Sequence, residues 1–118
     1  MDFKDTNLMS YHDIELQFEK LSLEFGHPIK PDEAYINNCG YKELRAGNLQ
    51  GAMQLFRQNI KYFPASFNVY DSLAEALLQG GDRNAAISNY EKSLALNPKN
   101  KNALDMLKKL KKIPVGDR

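Results

Sequence analysis

Apolar side chains recur at steps of three and four through most of this chain, the period of a helix with one buried face. The first stripe runs Tyr11, Ile14, Phe18, Leu21 and Phe25, and Leu16 and Leu23 add a second apolar strip. This predicts a helix over about 11–25, opened by Ser10 and Asp13 as a capping box with Asp in place of Glu, and ended by Gly26. His27-Pro28-Ile29-Lys30-Pro31 is a connector, because each proline pushes its predecessor toward extended geometry. Asp32 and Glu33 suit the first turn of a helix reaching about Ala46, where backbone N–H groups lack partners. Gly47-Asn48 turns the chain, Asn48 caps a helix over about 49–63, and Pro64 stops it. Ser66 is expected to cap a helix to about Gln79, Gly80-Gly81 to turn, and Asp82 to cap a helix over about 83–96 that ends at Pro98. Asn100 caps a last helix over about 101–112. Residues 1–9 carry no pattern, and Ile113 to Arg118 form a tail. No useful length alternates as a strand does, so the expected fold is all-α.

The middle of the chain also repeats itself. Pro64 and Pro98 stand 34 residues apart, and the same shift pairs Leu44 with Leu78, Gly47 with Gly81 and Ala52 with Ala86. Conservative pairs fill the gaps: Asn48 with Asp82, Met53 with Ile87, Phe56 with Tyr90, Ile60 with Leu94. A fixed period of this size marks stacked helical hairpins, none of which can bury its apolar face alone. Small residues at Gly40, Ala52, Ala74 and Ala86 let paired helices approach closely. Aromatics at Phe56, Tyr70 and Tyr90 fill the space between hairpins.

The second unit reads Tyr70, Leu73, Ala74, Leu77, Ala86, Tyr90, Pro98; the first reads Ile36, Cys39, Gly40, Glu43, Ala52, Phe56, Pro64. These residues resemble the tetratricopeptide repeat (TPR) family, whose unit is W-x2-L-G-x2-Y, then A-x3-F, then P. Glu43 departs from the pattern where an aromatic is expected, and Leu44 beside it supplies apolar bulk. The resemblance covers about Asp32 to Leu110 and implies a helix–turn–helix superhelix of two repeats, 32–64 and 65–98. An N-terminal helix and connector, 1–31, precede them. A capping helix and tail, 99–118, follow. In that last helix Leu104 aligns with Tyr70 and Leu107 with Leu73 before the sequence turns lysine-rich. The first helix does not fit the pattern and is expected to cover the other end of the stack.

In this family the first helix of each pair lines a concave groove. The matching positions are Asn37, Tyr41, Leu44 and Arg45; then Asn68, Asp71, Glu75 and Gln79; then Asn102, Asp105 and Lys109. The acids at Asp71, Glu75 and Asp105 make capture of a peptide carboxylate a poor fit. The resemblance implies instead a protein or peptide partner carrying basic or amide groups, held by Asp71 and Glu75 while Tyr41 stacks. A solvated acidic face and a Tyr41 that merely packs are the competing reading.

A narrower resemblance is to C-terminal tails of bacterial serine hydrolases, α/β-hydrolase esterases and β-lactamase-like proteins, carried by Asn37-Asn38-Cys39-Gly40-Tyr41, the Asn68–Leu73 run and the preceding helix with its proline connector. It implies an alternative role as a regulatory or assembly tail of a larger hydrolase. No G-x-S-x-G or S-x-x-K occurs here, so no catalytic residue is assigned and the chain itself is not expected to be an enzyme.

Composition narrows this further. The chain has 118 residues, 42% hydrophobic and 26% charged, with a net charge of +1, which gives no field to recruit nucleic acid. Residues 1–59 carry six basic and nine acidic side chains; residues 60–118 carry ten and six. The basic surplus at Lys99, Lys101, Lys108, Lys109, Lys111 and Lys112 suits the cap of a stack and favourable helix-dipole placement. No apolar run approaches a membrane span. The single cysteine, Cys39, sits at a core position, and its use weakly favours a cytoplasmic setting. His12 and His27 have no partner at metal-ligand spacing, so neither metal nor cofactor is expected. Self-association follows if the stripe of the first helix is left uncovered.

Overall fold

The computed structural model describes residues 11–26 and 31–112. The expected cap at Ser10, the connector residues 27–30 and the tail 113–118 lie outside them. Six helices follow one another: α1 (Tyr11–Phe25), α2 (Glu33–Arg45), α3 (Leu49–Tyr62), α4 (Phe67–Gln79), α5 (Arg83–Leu96) and α6 (Lys101–Lys112). Among the described residues there is no strand, and the protein is an all-α, repeat-like array. The closest helix pairings are α2 with α3 and α4 with α5; α3 against α4 and α5 against α6 join these hairpins into a stack.

The two hairpin turns are built from the same bonds at the same offset. Gly47 and Gly81 take φ +86° and +87°, a left-handed conformation open to glycine at no steric cost. The Asn48 N–H reaches the Glu43 carbonyl and the Gly47 N–H the Leu44 carbonyl; Asp82 to Leu77 and Gly81 to Leu78 repeat the pair. These are the two bonds of a Schellman ending, which satisfies carbonyls left over at a helix C-terminus. Each turn then feeds straight into a cap: the Gly51 N–H donates to Asn48 Oδ1 and the Ala85 N–H to Asp82 Oδ1. Turn and cap together set both hairpins to one geometry.

A second repeated bond crosses each hairpin. Asn59 Nδ2 donates to the Glu33 carbonyl at 3.1 Å, and Ser93 Oγ, one period on, donates to the Phe67 carbonyl at 2.9 Å. Each ties the second helix to the first turn of the first. Ser66 departs from its expected role. It occupies the N-cap position of α4 but makes no side-chain cap bond, because its hydroxyl donates to the Glu33 carboxylate at 2.7 Å. Its counterpart Asn100 does cap, accepting from the Ala103 N–H.

The main core gathers Ala52, Phe56, Leu73, Ala74, Leu77, Ala86 and Tyr90 with Ala103, Leu107 and Leu110 of α6. The small positions are fully covered, and a Cβ on Gly40 would lie 2.3 Å from a ring carbon of Phe56. Leu44 is buried in this core rather than facing the groove. Its neighbour Glu43 turns outward and accepts from Asn48 Nδ2.

A smaller cluster, Ile14, Ile36, Cys39 and Leu55, with Phe18 and Tyr35 against it, fastens α1 to the first hairpin. Ile14 has no exposed surface, and such burial is worth roughly 2–3 kcal/mol. The exposed Lys61–Glu15 pair beside it, at 3.3 Å, adds below about 1 kcal/mol, so apolar contact does the anchoring. The grip covers only part of α1. Leu16, Leu23 and Phe25 are 52%, 81% and 59% exposed.

Candidate functional site

The first helices of the hairpins, α2 and α4, meet at only a few positions and carry most of the positions expected to line the groove. Residues one period apart meet there. Tyr41 on α2 donates its hydroxyl to Glu75 Oε1 on α4 at 3.0 Å. Its ring also packs edge-on against Phe56, with centroids 5.1 Å apart at 64°. Tyr41 therefore both packs and presents a polar tip. Ser72 Oγ donates to Asn37 Oδ1 at 2.6 Å, a second link between the helices. Asn100 at the start of α6 donates to Asp71 Oδ2 at 3.0 Å and to Ser93 Oγ at 2.8 Å, tying the third element to both helices of the second hairpin.

Glu75 lies one helical turn after Asp71, so the two carboxylates share a face of α4. Among the described residues no basic side chain pairs with either. Asp71 Oδ1 is buried and receives no hydrogen bond. Two phenols share this field. Burial foremost pushes Tyr41 up to about 12, with the charges of Glu75 and Asp71 adding to it and a hydrogen bond with Ser72 opposing. Burial likewise pushes Tyr90 up to about 12, helped by Glu75, Asp71 and Tyr41. Both phenols are neutral at physiological pH, held by apolar packing beside two acids.

The remaining candidates lie around this centre. Arg45, Asn68, Gln79 and Lys109 are exposed and make no side-chain hydrogen bond or ion pair among the described residues. Asp105 is exposed and pairs with Lys101 one turn earlier at 3.5 Å; Asn102 is exposed beside it. The structure thus joins Asn37, Tyr41, Asp71 and Glu75 and leaves the others dispersed. Three contributors escaped the sequence reading: Ser72, Asn100 and Tyr90. The sequence marks Asn100 only as a cap and Tyr90 only as bulk. The signal for Tyr90 was its hydroxyl, at a position where phenylalanine fills the same volume. Two surface hollows lie elsewhere, one beside Asp13, Leu16, Gln17 and Lys20 on α1, the other beside Gln54, Arg57, Gln58 and Lys61 on α3. Neither contains an acid–phenol cluster of this kind.

No family model matches the chain, and no curated protein matches it.

Proposed function

We propose that the chain is a non-catalytic interaction module of the tetratricopeptide type, holding a peptide or protein segment along the face shared by α2, α4 and α6. One observation carries the reading: Tyr41 and Glu75, a full period apart, meet at the seam between successive hairpins, with Asp71 beside them unmatched by any basic side chain among the described residues. Residues that served only to stack hairpins would not need a continuous polar row there. The exposed Asn68 and Gln79 extend that row along α4 and supply amide groups for main-chain bonding.

The test is selection of binders from a random peptide library, followed by mapping on isotopically labelled protein. The expected result is resonance shifts on α2 and α4 at Asn37, Tyr41, Asp71 and Glu75, weakened by Glu75→Lys. Binders that map only to α3 and α5, or no binders at all, would overturn the reading.

The second reading, an assembly or regulatory tail of a larger hydrolase, draws on a different observation. Leu16, Leu23 and Phe25 expose apolar surface on one helix, more than a solvated end cap requires. On that reading, replacing Leu23 with Ser would weaken attachment to the catalytic portion and leave groove binding intact.

A further inference from the structure

The two ends of the helix stack carry opposite charge. α1 lies against α3 at one end, and α6 lies against α5 at the other. α1 has four acidic side chains and one lysine; α6 has five lysines and one aspartate. Both ends also expose large apolar side chains. Ile14 of α1 is turned into the first hairpin, while Leu16 and Leu23, two and nine positions on, lie exposed on the opposite side of the helix. On α6, Leu104 is 41% exposed. Its counterparts one and two periods earlier, Tyr70 and Ile36, are 9% and 0% exposed. The second helix of each hairpin accounts for this: Leu55 of α3 packs with Ile36, and Lys92 of α5 lies over the Tyr70 ring. Among the described residues no helix follows α6 to cover Leu104 in the same way.

The two surfaces are complementary. Leu16, Glu19, Lys20 and Leu23 stand at i, i+3, i+4 and i+7, the four corners of a hole that receives one side chain from a facing helix. Leu104 is such a side chain, with Lys108 one turn further along the same face of α6. Glu19 and Lys108 are both exposed, and neither pairs with an opposite charge among the described residues. Pairing two copies through α1 would set acidic helix against acidic helix, and pairing them through α6 would set lysines against lysines. The charge distribution therefore favours contact between unlike ends. We propose that a second copy of this chain docks its α1 on the α6 of the first, with Leu104 entering between Leu16 and Leu23 and Lys108 facing Glu19. One helix laid on another buries less than the roughly 1,200 Å² of a standard interface, so the association is weak and reversible, and a head-to-tail contact leaves a free end for the next copy. This goes beyond the groove reading and does not depend on it, since the groove positions on α2 and α4 take no part.

The test is sedimentation velocity on the full chain over a wide range of concentration. The expected result is a sedimentation coefficient that climbs with concentration at low salt and climbs less at high salt. Leu23→Lys blocks the α1 end and Leu104→Ser the α6 end, each leaving the other end intact. Either substitution alone should weaken self-association about tenfold or more, the scale of burying one leucine side chain. Mixed in equal amounts, the two variants should form a one-to-one dimer through their intact ends that does not grow further. Far-UV circular dichroism checks that each variant is folded; if Leu104→Ser is not, Lys108→Glu, at an exposed position, should give the same loss of self-association. A parent chain that stays monomeric at every concentration overturns the proposal, as does association that salt leaves unchanged. So does a Leu104→Ser protein that associates like the parent, the mark of an α1–α1 pair, or a mixture of folded variants that yields no dimer.

Discussion

Gly40→Ala is the sharpest test of how the first hairpin is held. A methyl group there would sit 2.3 Å from one ring carbon of Phe56 and 2.7 Å from two others. Carbon atoms in contact rest at about 3.5–4.0 Å, so the ring or the helix must move by more than an ångström. The ring has little freedom: Phe56 has no exposed surface, and Tyr41 packs against it edge-on. Overpacking of this kind costs about 1–3 kcal/mol. The substitution also gains about 1 kcal/mol, because alanine is the better residue inside a helix. With three ring atoms inside contact distance the overpacking dominates, and we expect a net loss of about 2 kcal/mol. Urea unfolding followed by far-UV circular dichroism measures this as a lower midpoint at unchanged slope. The second hairpin carries its own comparison, since Ala74 and Tyr90 stand where the first has Gly40 and Phe56. There Ala74→Gly should lose about 1 kcal/mol through helix propensity. Phe56→Leu should cost less in the Gly40→Ala background than alone, a coupling of about 1 kcal/mol. A Gly40→Ala protein as stable as the parent, or more so, would refute the close approach of α2 and α3 at this notch.

Three further outcomes follow from the same packing. Ala86→Glu places a charge, two extra carbon atoms and two oxygens at a position with no exposed surface, and should cost about 4 kcal/mol or more, read as loss of the cooperative thermal transition. Asn100→Ala removes the cap of α6 and the donor to the Asp71 carboxylate, and should cost roughly 2–4 kcal/mol, with hydrogen exchange rising first in α6. Stability should fall between pH 10 and 12, because the folded protein retains phenol protons at Tyr41 and Tyr90 that the unfolded chain releases near 10. Thermal midpoints of a Tyr41→Phe, Tyr90→Phe double variant should lose most of that alkaline slope; an unchanged slope would show that other groups cause it.

The helices were legible because their causes are local. Asn48 and Asp82 cap through their own side chains three residues ahead, and Gly47 and Gly81 turn through their own φ, so each segment carries its instructions within a few residues. Ser66 shows where local reading stops. Nothing beside it in sequence shows that Glu33, 33 residues earlier, offers its hydroxyl a stronger, charged acceptor than the backbone of α4. The groove was half legible for the same reason. Aligning Tyr41 with Glu75 by period placed them on equivalent helices, but whether side chains on neighbouring helices meet depends on the angle between hairpins. Leu44 illustrates the error that follows: its helical position suggested the groove face, and the rotation of α2 against α3 and α4 turned it inward.

From the residues alone came an all-α chain, the length and order of its helices, the period of 34 and the small-against-aromatic notches. All of these arise from interactions within one hairpin or from a spacing that can be counted. The tertiary structure decided which polar side chains face each other across the seam, how much of α1 is held by Ile14, and that one oxygen of Asp71 is buried without a donor. Those features depend on how one rigid hairpin leans on the next, and that angle is a sum over many contacts far apart in the chain.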